Sequence, residues 1–288
     1  MKIGFIGLGI MGSAMCENII RKHDDQVFVF DHVKEKTEAL AGAGGIACTS
    51  CRETAEHADL IITMVPKSEH VLAVKEEILP VLDGSKTWID MSTIDPAVSV
   101  GIAEEVSRTG AAFLDAPVVK SRPAAEAGKL GIYVGGKQED YEKVLPVLAY
   151  MGENIIRMGD NGKGLVMKIC HNALVSQIQN GVNETSVLAE KNGIDILTFA
   201  KAISYGGGQN FYLDSKKNVI AAQDYTTAFS IANMHKDVHI CLDLAKQSGT
   251  AMPGEENAAK VYDEAMEQGL GNEDFCATVK VVKGRTVC

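Results

Sequence analysis

The chain of 288 residues is acidic, with a formal net charge of −10, an apolar fraction of 46% and a charged fraction of 23%. It is long enough for two domains with separate cores, and its composition is that of an ordinary globular protein. The negative charge argues against nucleic acid or an anionic membrane surface as the main partner. No segment approaches the roughly 18 apolar residues that a transmembrane helix requires.

The first predicted element is a strand over residues 2–6, which leads directly into a glycine-rich turn. The turn, Gly7-Leu8-Gly9-Ile10-Met11-Gly12, has the spacing G-x-G-x-x-G. Gly7 permits a tight turn, Gly9 lets the backbone approach a pyrophosphate, and Gly12 lets the next helix pack against the strand. The unpaired N–H groups at the start of that helix attract the pyrophosphate. The segment therefore predicts a dinucleotide-binding site.

A second strand, predicted at 26–30, ends immediately before Asp31. A carboxylate at this position accepts hydrogen bonds from the adenine ribose hydroxyls and repels a 2′-phosphate, which favours NAD over NADP. Lys34 and Lys36 follow closely, and either ammonium group is able to meet a phosphate. The sequence therefore predicts NAD as the cofactor and leaves NADP open.

Four more strands are predicted farther along the chain, at 59–64, 86–90, 112–115 and 130–135. They alternate with helical stretches, which predicts an α/β domain with a Rossmann-type, doubly wound parallel sheet. Ligands of such sheets bind at the carboxyl ends of the strands. Those ends carry Val65-Pro66, Ser92-Thr93 and Asp115-Ala116-Pro117.

The pattern changes after the glycine-rich segment 159–164, where strand alternation gives way to helical periodicity. Glycine and asparagine are typical of turns and helix starts, so a long interdomain helix is predicted to begin near residue 163. The remainder is predicted to be all α-helical. We therefore expect a dinucleotide-binding Rossmann domain over 1–161 and a helical substrate and oligomerisation domain over 162–288.

Lys168 and Asn172 are four residues apart and share one face of the predicted long helix. A lysine beside a nicotinamide can give a proton to a carbonyl oxygen as hydride arrives, or take the proton back during oxidation. Asn172 can position the same oxygen. His171 can add a polar contact, although adjacent helical residues point about 100° apart.

The cysteines and histidines suggest a reducing compartment and leave one alternative open. Seven scattered cysteines fit reduced thiols in a cytoplasm, and the opening strand leaves no room for a signal peptide. Cys48-x-x-Cys51, with His57 nearby, allows metal or redox chemistry, but no second pair with ligand spacing accompanies it. His235 and His239 share a helix face but lack the glutamate of the zinc-protease motif, which favours a structural role.

Several ordered motifs join the glycine turn along nearly the whole chain: Asp90-Met91-Ser92-Thr93, Asp115-Ala116-Pro117-Val118, the Lys168 to Asn172 pair, and His235-Lys236-Asp237. With these motifs the chain resembles the β-hydroxyacid dehydrogenases, a family that includes 3-hydroxyisobutyrate dehydrogenase, tartronate semialdehyde reductase and sulfolactaldehyde reductase. The resemblance implies reversible, NAD-dependent oxidation of a hydroxyl group β to an acid group, without a metal. It also implies a homodimer or homotetramer built through the helical domain.

The resemblance also implies roles for individual residues. Lys168 is implied to be the catalytic acid and base, assisted by Asn172. The predicted cofactor contacts are Gly7, Leu8, Gly9, Ile10, Met11, Gly12, Asp31, Val65, Pro66, Thr93 and Lys236. The predicted substrate contacts are Ser92, Val118, Val119, Lys120, Ser121, His171 and Asn172.

One loop departs from the family pattern Asp-Ala-Pro-Val-Ser-Gly-Gly. Here Val119 replaces the serine and Lys120 replaces the first of the two glycines. Sulfolactaldehyde reductases have an arginine and a threonine at these two positions, which Lys120 and Ser121 loosely match. A sulfonated aldehyde anchored by charge-assisted hydrogen bonds is therefore an alternative substrate. The other interpretation treats Lys120 and Arg122 as solvated loop charges.

A function of another class also remains. The chain could instead be a dinucleotide-binding sensor, or a reductase of imines that shares the two-domain form. Imine reductases of this form typically lack the catalytic lysine, so Lys168 argues against that function. The sensor stays open, and it would bind NADH without turning over any semialdehyde.

Overall fold

The computed structural model describes residues 1–285 and divides into two compact units, one over Met1–Lys168 and one from Ile169 onward. Within the described residues, no helix combines the length and apolarity needed to cross a membrane.

The first unit alternates strands and helices. Its strands are β1 (Ile3–Ile6), β2 (Val27–Phe30), β3 (Ile46–Ala47), β4 (Leu60–Thr63), β5 (Thr87–Asp90), β6 (Ala112–Asp115), β7 (Val118–Val119), β8 (Leu130–Gly135) and β9 (Gly152–Gly159). Its helices are α1 (Ile10–Lys22), α2 (Lys34–Gly42), α3 (Cys51–His57), α4 (Ser68–Ile78), α5 (Pro96–Ser107), α6 (Arg122–Glu126) and α7 (Gln138–Leu148).

Six strands form a parallel sheet in the order β3-β2-β1-β4-β5-β6. This is the strand order of a dinucleotide-binding fold. The chain first adds β2 and β3 on one side of β1 and then adds β4, β5 and β6 on the other side. The predicted Rossmann-type sheet is confirmed, and each strand foreseen from the sequence is present within two residues of its predicted limits. The glycine turn follows β1, so it lies at the carboxyl edge.

The sheet continues beyond β6 in the opposite sense. β8 runs antiparallel to both β6 and β7, while β9 runs parallel to β8. A parallel crossover needs a substantial connection, normally a helix that covers the sheet, and the connection before β8 holds only β7 and the five-residue α6. The all-parallel prediction is therefore wrong for this edge, and β9 was not foreseen because its residues lack a continuous apolar run.

Apolar layers cover both faces of the sheet. Ile3 and Phe5 of β1 pack in one layer with Met15 of α1, whereas Ile6 packs in the opposite layer with Trp88. Successive side chains of a strand point to opposite faces, so a strand covered on both sides must be apolar throughout. The burial of all four residues of β1 follows from this arrangement.

The second unit is helical, as the sequence predicts. Its helices are α8 (Lys163–Lys191, which starts in the first unit), α9 (Ile196–Ile203), α10 (Phe211–Ala222), α11 (Ile231–Ser248), α12 (Pro253–Glu267) and α13 (Val279–Gly284). Asp195, Asn210 and Ser230 accept hydrogen bonds from the free N–H groups at the starts of α9, α10 and α11.

A buried carboxyl group makes the stability of the helical unit depend on pH. Glu255 of α12 is fully buried, and its Oε2 accepts a hydrogen bond from the Ser176 hydroxyl at 2.6 Å. Burial raises the pKa of Glu255 to about 7, although the hydrogen bond from Ser176 opposes the shift. Between the unfolded pKa, about 4.3, and this folded value the native state binds more protons than the unfolded chain. Stability should therefore fall as the pH rises through this window.

We expect Glu255→Gln to remove this pH dependence, because glutamine still accepts the Ser176 hydrogen bond but carries no charge. The variant should melt about 3–6 °C above the wild type at pH 8 and close to it at pH 5. Glu256→Gln, an exposed change on the same helix, is the matched control. Differential scanning calorimetry across pH 5–8 measures the difference, and a constant difference between the two proteins would contradict a buried, shifted carboxyl.

Candidate active site

The glycine turn after β1 has a shape that side chains would prevent. Gly7 has φ +95°, and a Cβ there would overlap the carbonyl oxygen of Met64. A Cβ on Gly12 would overlap the carbonyl oxygen of Gly7. Two of the three predicted roles, the tight turn and the close packing of helix on strand, thus have a direct steric basis.

Gly9 differs from its neighbours because a Cβ there would meet nothing within 4 Å. It precedes α1, whose first turn has no side-chain cap and contains no acidic residue. Free N–H groups at a helix start, next to open space, form a site that suits a pyrophosphate. The turn therefore fits a dinucleotide, because Gly9 has no side chain at the place where the phosphates approach.

Asp31 is fixed beside the glycine turn. Its Oδ2 accepts a hydrogen bond from the Leu8 N–H at 2.7 Å, and its Oδ1 accepts one from the Val33 N–H at 2.8 Å. The Lys36 ammonium lies 3.7 Å from the same Oδ1. Each carboxylate oxygen can accept a further hydrogen bond, as a ribose hydroxyl requires.

The two lysines that left NADP open are both paired with carboxylates. Lys36 pairs with Asp31, and Lys34 pairs with Glu38 at 3.1 Å on the exposed face of α2. A 2′-phosphate would be repelled by the Asp31 carboxylate, and neither of these two ammonium groups lacks a carboxylate partner. This arrangement favours NAD.

Asp90 ties together the carboxyl ends of β4 and β5. Its Oδ1 accepts hydrogen bonds from the hydroxyl groups of Ser92, at 2.6 Å, and Thr63, at 2.7 Å. The Ser92 oxygen in turn accepts the Val65 N–H at 2.9 Å. Burial raises the pKa of Asp90 to about 6 against the opposing effect of these hydrogen bonds. Ser92 is fully buried, so its side chain positions Val65 rather than reaching solvent.

Asp115 fixes the start of the long helix. Its Oδ1 accepts the Gly162 N–H at 2.6 Å, and its Oδ2 accepts the Leu165 N–H at 2.9 Å. A Cβ on Gly164 would come within 2.8 Å of Oδ2, so the backbone can approach this closely only as glycine. Asp115 and the glycines before Lys168 therefore act together, and they fix the position at which α8 begins.

The predicted catalytic pair lies in buried surroundings on α8. Lys168 is 7% exposed and Asn172, one turn later, is 4% exposed. His171 Nδ1 lies 3.1 Å from Asn172 Oδ1, so its ring turns back toward Asn172 despite the angle between neighbouring helical residues.

Asp237 belongs to the His235-Lys236-Asp237 motif, but the sequence did not indicate what its side chain does here. It is 2% exposed, and its Oδ2 accepts a hydrogen bond from Asn172 Nδ2 at 2.6 Å. Lys236 Nζ lies 2.9 Å from its Oδ1. Adjacent Lys and Asp on a helix are ordinarily a surface pair, and only burial distinguishes this one. Asp237 thus links a predicted cofactor residue, Lys236, with a predicted substrate residue, Asn172.

The loop that departs from the family pattern carries two exposed cations, and each is paired with a carboxylate. Lys120 has φ +76°, a backbone conformation that favours glycine. Its ammonium donates to the Lys129 carbonyl oxygen at 2.8 Å and to Glu153 Oε1 at 3.1 Å. The guanidinium of Arg122 donates to Glu126 at 2.7 Å. Both charges are compensated by neighbouring carboxylates.

The Cys48 to Cys51 segment does not form a metal cluster with His57. Both cysteines are buried free thiols, and the His57 ring stacks on Phe28 with centroids 5.0 Å apart. Among the described residues, the groups able to hold a metal include Cys51 but neither Cys48 nor His57.

Comparison with known proteins gives matches over nearly the whole chain. A family model for the NAD-binding domain of 6-phosphogluconate dehydrogenase matches residues 2–159. A second, for the NAD-binding region of NADP-dependent 3-hydroxyisobutyrate dehydrogenase, matches residues 162–282.

Individual relatives agree with these matches. The mitochondrial 3-hydroxyisobutyrate dehydrogenase of Drosophila melanogaster is 34% identical, over 98% of this chain and 89% of its own length. The 2-(hydroxymethyl)glutarate dehydrogenase of Eubacterium barkeri is 31% identical, over 98% and 94% respectively. The structure of Mycobacterium tuberculosis 3-hydroxyisobutyrate dehydrogenase with L-serine superposes with a TM-score of 0.91 at 28% identity, covering 98% of this chain and 99% of that one.

Proposed function

Because the chain belongs to the β-hydroxyacid dehydrogenase family of NAD(P)-dependent oxidoreductases, we propose that it interconverts a small β-hydroxy carboxylic acid and its semialdehyde, with Lys168 as general acid and base. The observation that carries the proposal is the placement of Lys168. It is a buried lysine on a helix whose start is fixed by Asp115, one turn before an asparagine held by Asp237.

The cofactor would be held by the glycine turn and by the ends of the strands. Its pyrophosphate would lie on the free N–H groups at the start of α1, and its adenine ribose on Asp31. Val65, Pro66 and Thr93 would line the nicotinamide side of this edge, with Val65 positioned by Ser92. When bound, the nicotinamide supplies or accepts the hydride.

Lys168 would move the proton that accompanies the hydride. During aldehyde reduction its ammonium donates to the carbonyl oxygen, which would otherwise become an alkoxide; during oxidation the amine takes the hydroxyl proton. Asn172 would hydrogen-bond the same substrate. Its amide is fixed by Asp237 and His171, so little conformational freedom is lost when the substrate binds.

Asp31 should decide the choice between NADH and NADPH. We expect Asp31→Ala to weaken NADH binding by about tenfold, because a carboxylate hydrogen bond of about 1.5 kcal/mol is lost. NADPH binding should improve relative to NADH, since the repulsion between two anions disappears. Fluorescence titration with both cofactors measures the ratio. Asp25→Ala, a change at an exposed carboxylate of the same unit, is the control, and an unchanged ratio in Asp31→Ala would remove the ribose assignment.

For the substrate we propose a carboxylate rather than a sulfonate. The sulfonate alternative rested on the charge of Lys120 and on the loose match of Lys120 and Ser121 to an arginine and a threonine, whereas the Lys120 ammonium is compensated by Glu153. The loop would instead bind the substrate through the backbone of Val119, Lys120 and Ser121. The positive φ of Lys120 gives that backbone the conformation that a glycine adopts readily.

Lys120→Gly tests this assignment. Glycine relieves a left-handed conformation, which offsets the lost hydrogen bonds, so we expect the melting temperature to stay the same or rise by about 2–3 °C. The KM for a carboxylate semialdehyde should change less than about threefold, whereas loss of an anion anchor would raise it by about ten- to a hundredfold. Steady-state kinetics distinguish the two, and a large rise in KM would restore Lys120 as the anion-binding residue.

We further propose that the protein is a cytoplasmic homo-oligomer that associates through its helical unit. Large apolar side chains are exposed on that unit: Leu174, Leu188, Leu197, Tyr205 and Phe211. Exposed apolar groups of this size favour burial against a partner. The six described cysteines are free thiols, which suits a reducing compartment.

Turnover with a panel of aldehydes tests the proposed activity. NADH oxidation would be followed at 340 nm with glyoxylate, with succinic, methylmalonate and tartronate semialdehydes, and with 3-sulfolactaldehyde. We expect preference for one of the carboxylates. Preference for the sulfonate would favour the alternative substrate, and NADH binding without any turnover would indicate a sensor.

A further inference from the structure

Two histidines and an aspartate of the helical unit bring three potential ligand atoms together. His235 and His239 lie one turn apart on α11, and Asp263 lies on α12. Asp263 Oδ1 is 2.9 Å from Nε2 of His235 and 2.9 Å from Nε2 of His239, and the two Nε2 atoms are 3.1 Å apart. The three side chains are 29–45% exposed, so the cluster is open to solvent.

Hydrogen bonds alone cannot satisfy this triangle. A carboxylate oxygen only accepts, and the Nε2 atom of a histidine either donates or accepts. If both Nε2 atoms donate to Asp263, two N–H groups face each other at 3.1 Å. If either one accepts, it faces the carboxylate with a lone pair. One of the three short contacts is therefore repulsive in every arrangement, unless a cation lies among the three atoms.

The dimensions of the triangle suit a transition-metal ion. The point equidistant from the three atoms lies about 1.7 Å from each, slightly less than the 2.0–2.2 Å bonds that zinc forms with histidine and carboxylate, so an ion would sit about 1 Å above the plane. Two histidines at i and i+4 on a helix are a known bidentate arrangement for zinc. The exposed side leaves room for a water as fourth ligand.

We propose that His235, His239 and Asp263 form a binding site for a divalent transition-metal ion, with Zn²⁺ as its representative. Imidazole nitrogens select Zn²⁺, Ni²⁺ and Cu²⁺ over the oxygen-seeking Mg²⁺ and Ca²⁺. Two ligands come from α11 and one from α12, so the ion cross-links these helices and stabilises the helical unit. The proposed dehydrogenase reaction needs no metal, and the site stands independently of it.

A second cluster, in the first unit, is a weaker candidate and serves as a comparison. His32, Cys51 and Glu77 also bring three ligand atoms together. Cys51 is fully buried there, and burial raises the pKa of its thiol to about 12. A metal would have to displace that proton in an apolar environment, whereas the carboxylate of Asp263 is already ionised at neutral pH.

Zinc binding by the chelator-treated, full-length protein tests the proposal. Isothermal titration with ZnCl₂ at pH 7.5 should give one site per chain in a Cys170→Ser background, which removes the exposed thiol among residues 1–285. Saturating zinc should raise the melting temperature by about 5 °C. His239→Ala and Asp263→Asn should each weaken binding at least tenfold and abolish the thermal shift. His70→Ala, at an exposed histidine of α4, and His32→Asn should leave both unchanged.

Three outcomes would overturn the assignment. The first is the absence of zinc binding at 100 µM by the correctly folded protein. The second is binding of equal strength in His239→Ala and Asp263→Asn, both shown to be folded by circular dichroism. The third is loss of binding in His32→Asn alone, which would move the site to the first unit.

Discussion

Lys168→Ala lowers kcat for aldehyde reduction by about 10²- to 10⁴-fold, the contribution expected of a positioned general acid. The lysine is 7% exposed, so bulk water does not readily replace it as the proton donor. NADH affinity should stay within about threefold of the wild type, because the residues proposed to hold the cofactor lie on the glycine turn and strand ends. Stopped-flow kinetics at 340 nm and fluorescence titration of NADH measure the two quantities.

The matched control is Lys191→Ala, an exposed lysine at the end of the same helix. It should leave kcat and NADH affinity unchanged. If Lys168→Ala retained wild-type turnover, another group would have to supply the proton. If it lost NADH affinity in parallel with kcat, the residue would be a binding residue rather than an acid and base.

Gly9→Ala weakens NADH binding by about ten- to a hundredfold and leaves stability unchanged. Gly9 has φ −71°, which alanine adopts without strain, and its added methyl would meet nothing in the protein. The methyl would occupy the space into which the pyrophosphate comes, so only the bound state is destabilised. Titration calorimetry with NADH and the melting temperature without cofactor provide the two measurements.

Gly101→Ala is the matched control for this variant. Gly101 lies in α5, where an added Cβ also meets nothing within 4 Å. It should bind NADH normally and, because alanine favours helices more than glycine does, gain up to about 1 kcal/mol of stability. Wild-type NADH affinity in Gly9→Ala would show that the pyrophosphate does not approach this part of the turn.

The dinucleotide half was predictable because its constraints are local. The turn at Gly7, the acid at Asp31 and the buried strand between them each require particular residue types within a short stretch of chain. The start of α8 near residue 163 was predictable for the same reason, since turn and cap residues precede it. Family resemblance then supplied roles for Lys168 and Asn172. Their spacing alone indicates only that they lie on the same face of a helix.

The features that sequence did not reveal depend on contacts between distant segments. Asp115 was recognised as the end of a strand, but its hydrogen bonds to Gly162 and Leu165 span nearly fifty residues. Asp237 looked like half of a surface ion pair, and its link to Asn172 spans 65 residues. Lys120 looked like a free cation because its partner, Glu153, lies on the unforeseen strand β9. Which of these charged groups are buried, and which groups they pair with, can be known only from the folded structure.

Transfer of deuterium from NADH deuterated at C4 shows directly whether the protein moves a hydride from the nicotinamide to a semialdehyde. The protein would be incubated with a carboxylate semialdehyde and each of the two C4-deuterated epimers of NADH, and the hydroxy acid analysed by mass spectrometry. We expect one deuterium on the carbinol carbon from one epimer and none from the other, with Lys168→Ala forming the same product far more slowly. A hydroxy acid without deuterium from either epimer, or no hydroxy acid from any semialdehyde in the panel, would contradict it.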